Sequence, residues 1–326
     1  MKMKEIAAAA GVSAATVSKI LNGRDEHISE ATRNRVLQIV DKTGYMPNAI
    51  AKSLKQNRSK MIGFILPDIS NPFFPSVAKG MEEMAHEYGY GILIANTNDS
   101  IKAEQEALRF LSSRQVGGIV FARALKSDTL EKCVETELPI VAVDRALDFD
   151  APGMGRIIID TSAGIAAATN VLIDRGCKRI AYISARYNSK TDRYFGYCRA
   201  LENAGLELDE ALIYNDTFTF ETGYNGVSAI LSRTEADGIV CGNDLIAVGA
   251  ISRLREFGIS VPEQMKVMGF DDIYFSRYMT PPLSTVRQPA YEMGAESAKM
   301  LIDYLENGTA LYNKKLDFSI VMRGTV

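Results

Sequence analysis

Eight side chains suited to holding a small polar molecule stand just behind runs of β-forming residues. Asn71, Phe73 and Phe74 follow GFILP, Asp144 follows PIVAV, and Arg193 comes after RIAYIS. Phe218 follows ALIYND, Asn243 (with Asp244 beside it) follows DGIVCG, and Asp271 ends KVMGFD. Carboxylate, amide and guanidinium groups around aromatic faces match the hydroxyls and apolar faces of a polyhydroxylated ligand. Each residue also has a plainer reading. Asn71 before Pro72 suits a helix start, Phe73 and Phe74 suit a core, Asp144 and Asp271 suit strand-end turns, and Arg193 suits an exposed helix charge.

Signatures of catalysis are missing. The nearest glycine pattern, GYGILI at Gly89–Ile94, enters a strand instead of leaving one for a helix, and it lacks a third glycine, so the dinucleotide fingerprint fails. There is no P-loop, G-x-S-x-G or H-E-x-x-H. The two histidines, His27 and His86, and the four cysteines, Cys133, Cys177, Cys198 and Cys241, lie far apart with no C-x-x-C. No metal, no cofactor and no disulfide framework are expected, and the cysteines read as reduced thiols.

A second set of residues points to a different partner. GVSAATVSKILNG, Gly11–Gly23, is a helix of small side chains with a single charge, Lys19. Small Ala7 permits a close helix crossing, Gly11 suits a turn of positive φ, and Ile6, Val12, Val17 and Ile20 supply apolar contacts, the layout of a helix-turn-helix. In that motif the second helix enters the DNA major groove. Ala14, Ala15 and Thr16 then face base edges, with Ser18 and Lys19 next along the exposed side. A methyl can meet a thymine methyl, and Lys19 can donate to guanine. The plainer reading is a capped helix in an ordinary bundle. Charge favours DNA: residues 1–60 carry eleven Lys/Arg against five Asp/Glu, net +6, and the rest of the chain nets −9.

The elements that must position these groups follow from periodicity. MKEIAAAAGV, SAATVSKILNG and SEATRNRVLQIVDKTGY have apolar residues at three- and four-residue spacing, with Ser13 and Ser29 as N-caps, so three helices are predicted in the first fifty residues. Pro47 ends the third, Asn48 can cap a new turn, and Ala49 to Lys55 form a helix too short to persist alone. From Lys60 onward short β-runs alternate with helical stretches, which means right-handed βαβ units and parallel sheets. The runs outnumber one ordinary sheet, so two Rossmann-like subdomains are predicted with a boundary near Asp160, and KKLDFSIVM reads as the last strand. With 326 residues, 47% of them hydrophobic, separate cores are affordable. No apolar run is long enough to span a membrane and no signal peptide is evident, so a cytoplasmic protein is expected.

IAAAAGVSAATVSKILNG, SEATRNRVLQIVDKTGYMPNAIAKSL, IGFILPDISNPFF, GNDLIAVGA and GFDD with PPLSTVRQP together resemble the lactose-repressor (LacI) family of bacterial transcription regulators, over essentially the whole length. The resemblance implies a helix-turn-helix head over residues 1–46, a hinge helix and linker over 47–60, and an α/β, periplasmic-binding-protein-like core over 61–326. The core would comprise an N-subdomain of about 61–160 plus 289–313 and a C-subdomain of about 161–288 plus 314–326. It implies that Leu54 wedges into the central base step of the minor groove. Asn22, Asn48, Ala51 and Lys55 complete the implied DNA contacts. The two alanines, Ala14 and Ala15, depart from the larger polar residues common at base-reading positions. Arg193, Asn243 and Asp271 match effector-contacting positions, and Phe218 an aromatic stacking one.

The reading is then a repressor of operator DNA controlled by a small effector, a sugar or sugar derivative. With no C-terminal heptad segment, a homodimer on a pseudo-palindromic site is expected. Control by a phosphorylated carrier protein or a purine-like ligand is the alternative within the family. A solute-binding protein or an enzyme on the same fold is the remote one.

Overall fold

The computed structural model describes residues 2–21, 25–45, 59–125, 129, 138–145, 153–185 and 192–326. They fall into two units, Met1–Ser59 and Lys60–Val326.

The head holds α1 (Met3–Ala10), α2 (Ala14–Leu21) and α3 (Glu30–Thr43). Each boundary has a local cause. Gly11 closes α1 at φ 64°, a left-handed conformation that glycine alone adopts cheaply, and Val12 N–H then donates to Ala7 O at 3.0 Å. Ser13 caps α2 by accepting from Thr16 N–H at 3.0 Å, and Ser29 caps α3 by accepting from Thr32 N–H at 3.4 Å. The buried seam is Ile6, Ala7 and Ala10 of α1, Val17 and Ile20 of α2, and Val36 of α3. Each large aliphatic in it contributes about 1.5–3 kcal/mol by leaving water.

The second unit carries two six-stranded sheets. The first, in spatial order, is β11 (Asn313–Lys315), β5 (Met154–Ile158), β4 (Ile140–Val143), β3 (Gly118–Phe121), β1 (Met61–Leu66) and β2 (Gly91–Asn96). The second is β12 (Ser319–Val321), β10 (Ser284–Arg287), β9 (Lys266–Asp271), β8 (Gly238–Cys241), β6 (Ile180–Ala185) and β7 (Ile213–Asp216). Every neighbouring pair is parallel except β10 with β12, where Thr285 faces Val321. Central strands β3, β4, β6 and β8 are buried along their whole length, as a sheet covered on both faces requires, whereas edge strands β2 and β7 are half exposed.

Helices α4 (Phe73–Glu87), α5 (Ile101–Ser113) and α10 (Ala290–Asn307) cover the first sheet, and α6 (Thr161–Asp174), α7 (Asp192–Asn203), α8 (Phe220–Leu231) and α9 (Asp244–Glu256) the second. The chain passes between the sheets after β5, after β10 and after β11. The third passage corrects the expectation of one last strand. KKLDFSIVM divides into β11 and β12 in different sheets, because Leu316 between them packs against the cores of both and its N–H donates to Ile158 O at 2.8 Å. Residues 314 and 315, expected with the C-subdomain, accordingly pair in the first sheet.

Because the strands run parallel, their carboxyl ends lie along one edge of each sheet, where open α/β sheets bind ligands.

Candidate functional site

The residues singled out behind the strands converge on one cavity. Asn71, Phe73, Phe74 and Asp144 come from the first lobe, and Arg193, Phe218, Asn243 and Asp271 from the second. The structure adds Arg145 to the same wall. The space between them is only about 20 Å³, and a second cavity of about 250 Å³ begins at the shared residues Phe73 and Asp271.

Several of the plainer readings hold alongside the site. Asn71 Oδ1 accepts from Phe73 N–H at 3.1 Å and so shapes the start of α4. Phe73 and Phe74 meet edge to face at 5.1 Å, buried in the first lobe's core while bordering the cavity. Asn243 caps α9 by accepting from Ile246 N–H at 2.9 Å and donates through Nδ2 to Phe218 O at 3.3 Å. Asp144 and Asp271 do occupy strand-end turns, yet both are buried, and at φ 68° and 121° both hold the left-handed backbone that favours glycine. Such strain persists only where the surroundings enforce it, commonly at functional sites.

The two carboxylates are each matched by a guanidinium. Arg145 Nε lies 3.8 Å from Asp144, while its Nη1 donates both to Asp99 at 3.0 Å and to Arg123 O at 2.6 Å. Burial pushes the Asp271 carboxyl well above the usual carboxylate range, the nearby Asp244 charge raises it further, and Arg193 pulls it back.

Arg193 is not the exposed helix charge of its plainer reading. Its guanidinium stands over Phe218 at 5.0 Å and Phe270 at 4.8 Å, and its buried Nε has no hydrogen-bond partner among the described residues. Gln288, buried, donates to Asp271 at 2.7 Å, while its Oε1 has no hydrogen-bond partner among the described residues. Sequence reasoning passed over Arg145 and Gln288. Their signal was position alone, one residue past a cleft aspartate and one past the end of β10.

On α2, Ala15 and Lys19 are exposed and share a face at i, i+4 spacing. Thr16 and Ser18 are half-buried, and Thr16 is tied to Ser13 through both its backbone and its hydroxyl. Ala14 packs against the head's core, so its methyl is only partly available. Asn22, Asn48, Ala51, Leu54 and Lys55 lie outside the described residues.

Among the described residues no group of His, Cys, Asp and Glu is placed to hold a metal, and no helix is long and apolar enough to cross a membrane.

Comparison with known proteins decides the family. Residues 2–48 match the model for bacterial regulatory proteins of the lacI family, and residues 59–316 match that for periplasmic binding proteins and the sugar binding domain of the LacI family. The chain belongs to the LacI family. It is a DNA-binding transcriptional regulator. Within the LacI family, the HTH-type transcriptional regulator RegA of Clostridium saccharobutylicum is 38% identical over 309 residues, 93% of this chain and 92% of RegA. The ribose operon repressor of Bacillus subtilis is 34% identical over 307 residues, 93% of this chain and 91% of the repressor. Among solved LacI-family structures, the transcriptional regulator CelR–cellobiose complex matches with a TM-score of 0.75 at 28% identity, covering 100% of both chains.

Proposed function

We propose that this chain is a cytoplasmic repressor, not an enzyme, whose hold on operator DNA is set by a neutral monosaccharide of pentose size bound between the lobes of its core. The observation that carries the reading is Arg193, over the rings of Phe218 and Phe270 and with a buried Nε donor that has no partner among the described residues, while Gln288, bonded to the cleft residue Asp271, keeps an open acceptor among them. The hydroxyls of a sugar suit both kinds of open group, since each accepts and donates.

Charge supports a neutral ligand. With Asp271 held toward its neutral acid by burial, Asp99 and Asp144 balance Arg145 and Arg193, so a phosphate ester would bring uncompensated negative charge into a buried site. In this conformation the central space holds little more than one water molecule, so the lobes must part to admit even a single ring. A purine's flat ring is disfavoured, since Arg193 already covers the faces of Phe218 and Phe270. The likeness to the ribose operon repressor of Bacillus subtilis points the same way.

The sugar would act by its differential affinity for open and closed lobes. The head would lay α2 in the major groove, with Ala15 and Lys19 toward the bases. Two chains, related by a two-fold axis, would read the two halves of the operator. The exposed ring cluster of Tyr274, Phe275 and Tyr278, whose members touch at 5.2–5.6 Å, supplies an apolar face for that pairing. Fluorescence anisotropy of the full chain on DNA from its own promoter tests the reading. D-ribose is expected to change operator affinity by about tenfold or more, and indifference to every neutral monosaccharide would sink it.

A further inference from the structure

Asp244 stands one residue past the cleft, yet its carboxylate turns away from it. The side chain is fully buried and forms no ion pair among the described residues. Oδ2 accepts from Ile273 N–H at 2.9 Å and from Ser276 Oγ at 2.5 Å, and Oδ1 accepts from Thr285 Oγ1 at 2.6 Å. One side chain at the start of α9 thus grips the segment leaving β9, the short 3-10 turn Tyr274–Tyr278 and strand β10. Space is reserved for it: a β-carbon at Gly269, in the middle of β9, would collide with Oδ1.

The gripped segment contains a cleft residue. Asp271 and Asp272 both have positive φ, 121° and 58°, two left-handed non-glycine residues in succession immediately before Ile273. Left alone, that backbone would relax to negative φ and turn the Asp271 carboxylate elsewhere. Three anchors hold it. Arg287 at 2.7 Å and Arg323 at 2.6 Å clamp Asp272, Gln288 N–H donates to Asp271 O at 3.3 Å, and Asp244 fixes the next amide, Ile273. Of these, Asp244 alone belongs to the helix that also carries the cleft residue Asn243.

We propose that Asp244 is the positioning residue of the effector cleft, holding the strained Asp271–Ile273 segment in register with Asn243 so that both present their polar atoms to the ligand. The consequence for binding rests on the effector reading given above; the local backbone effect does not. The same carboxylate, through Ser276, ties the cleft to the aromatic turn.

The test uses the full chain with Asp244→Asn, which keeps the shape but points an amide donor at three donors, and Thr285→Val, a milder change that removes one of them. Ligand-free hydrogen exchange is read first. Exchange over residues 271–276 is expected to quicken by about tenfold or more in Asp244→Asn, and less in Thr285→Val, while β8 and β9 keep their protection. Unaltered exchange in that segment overturns the proposal. Should Asp244→Asn fail to fold, the same segment in Thr285→Val decides.

D-ribose affinity, by calorimetry, is read second. Where wild type binds, Asp244→Asn is expected to bind about tenfold or more weakly. The pH at which affinity falls is also expected to move down, because Asp271 loses the neighbouring charge that raises it. A residue that only stabilised the fold would lower Tm and leave that midpoint in place. Binding within about twofold of wild type, with the midpoint unmoved, overturns the proposal. Failure of wild type to bind ribose would count against the effector reading, and the exchange data would still decide the role of Asp244.

Discussion

Arg193 lies over the ring of Phe218 at 5.0 Å, and the two come from different elements of the second lobe, α7 and the loop after β7. Arg145 approaches the same ring from the first lobe at 5.5 Å. Phe218 is therefore an aromatic face shared by the two lobes.

Arg193→Lys keeps the charge but loses the planar stack and the Nε donor. D-ribose affinity is expected to fall by about tenfold to a hundredfold, from a lost cation–π contact and a lost charge-assisted hydrogen bond. Operator affinity without sugar should stay at the wild-type value. Calorimetry and anisotropy on one preparation check both.

Asp271→Asn separates binding from stability. Burial raises the folded-state pKa of Asp271 above its unfolded value, so folding favours the protonated acid. Little is lost below about pH 4, where both states are protonated, and stability drains away as pH rises through the folded value. Asp244, pushed up to about 6 by burial, contributes with the same sign. Asparagine cannot ionise, so Tm of Asp271→Asn relative to wild type is expected to climb between about pH 4 and pH 7. Sugar affinity is expected to drop by about tenfold or more, because an amide replaces the carboxyl group that faces the ligand's hydroxyls. A Tm difference independent of pH would count against a raised Asp271.

Lys19→Ala tests the head. An exposed lysine on α2 should contribute one ionic contact, so the slope of log affinity against log salt is expected to shrink by about 0.9. Thermal stability should be unaltered, because Lys19 is exposed and outside the head's core. Leu54→Ala, at the implied wedge, should weaken specific operator binding and leave sugar affinity nearly unchanged.

Phe275→Asp places a charge in the exposed aromatic cluster of Tyr274, Phe275 and Tyr278. Light scattering is expected to show a shift from dimer to monomer. Operator affinity is expected to fall by about a hundredfold as the two heads lose their linkage. A dimer that persists at low micromolar concentration would place the seam elsewhere.

Much of the cleft was legible because parallel strands have a direction. Asn71, Asp144, Phe218 and Asn243 stand past the end of a strand and Asp271 ends one, and topology alone brings such positions to one edge. The end of the first head helix and both serine caps were legible for a local reason: Gly11, Ser13 and Ser29 have side chains, or none, that suit one backbone geometry.

What escaped depends on where side chains point. Asp144 and Arg145 are neighbours in sequence, and only the φ of 68° at Asp144 turns both toward the cavity. Gln288 enters through its bond to Asp271, seventeen residues away. KKLDFSIVM has the composition of one strand, and its division follows from two cores competing for Leu316, a tertiary demand that local propensity does not record.

The most direct measurement of the central claim is isothermal titration of the full chain with D-ribose, ribose 5-phosphate and cellobiose under one buffer. The charge-balanced cleft predicts saturable one-to-one binding of ribose, with the phosphate ester weaker by about a hundredfold or more, and the pentose-size reading places cellobiose below ribose. Tighter binding of the phosphate, or no heat from any single-ring sugar, would contradict it.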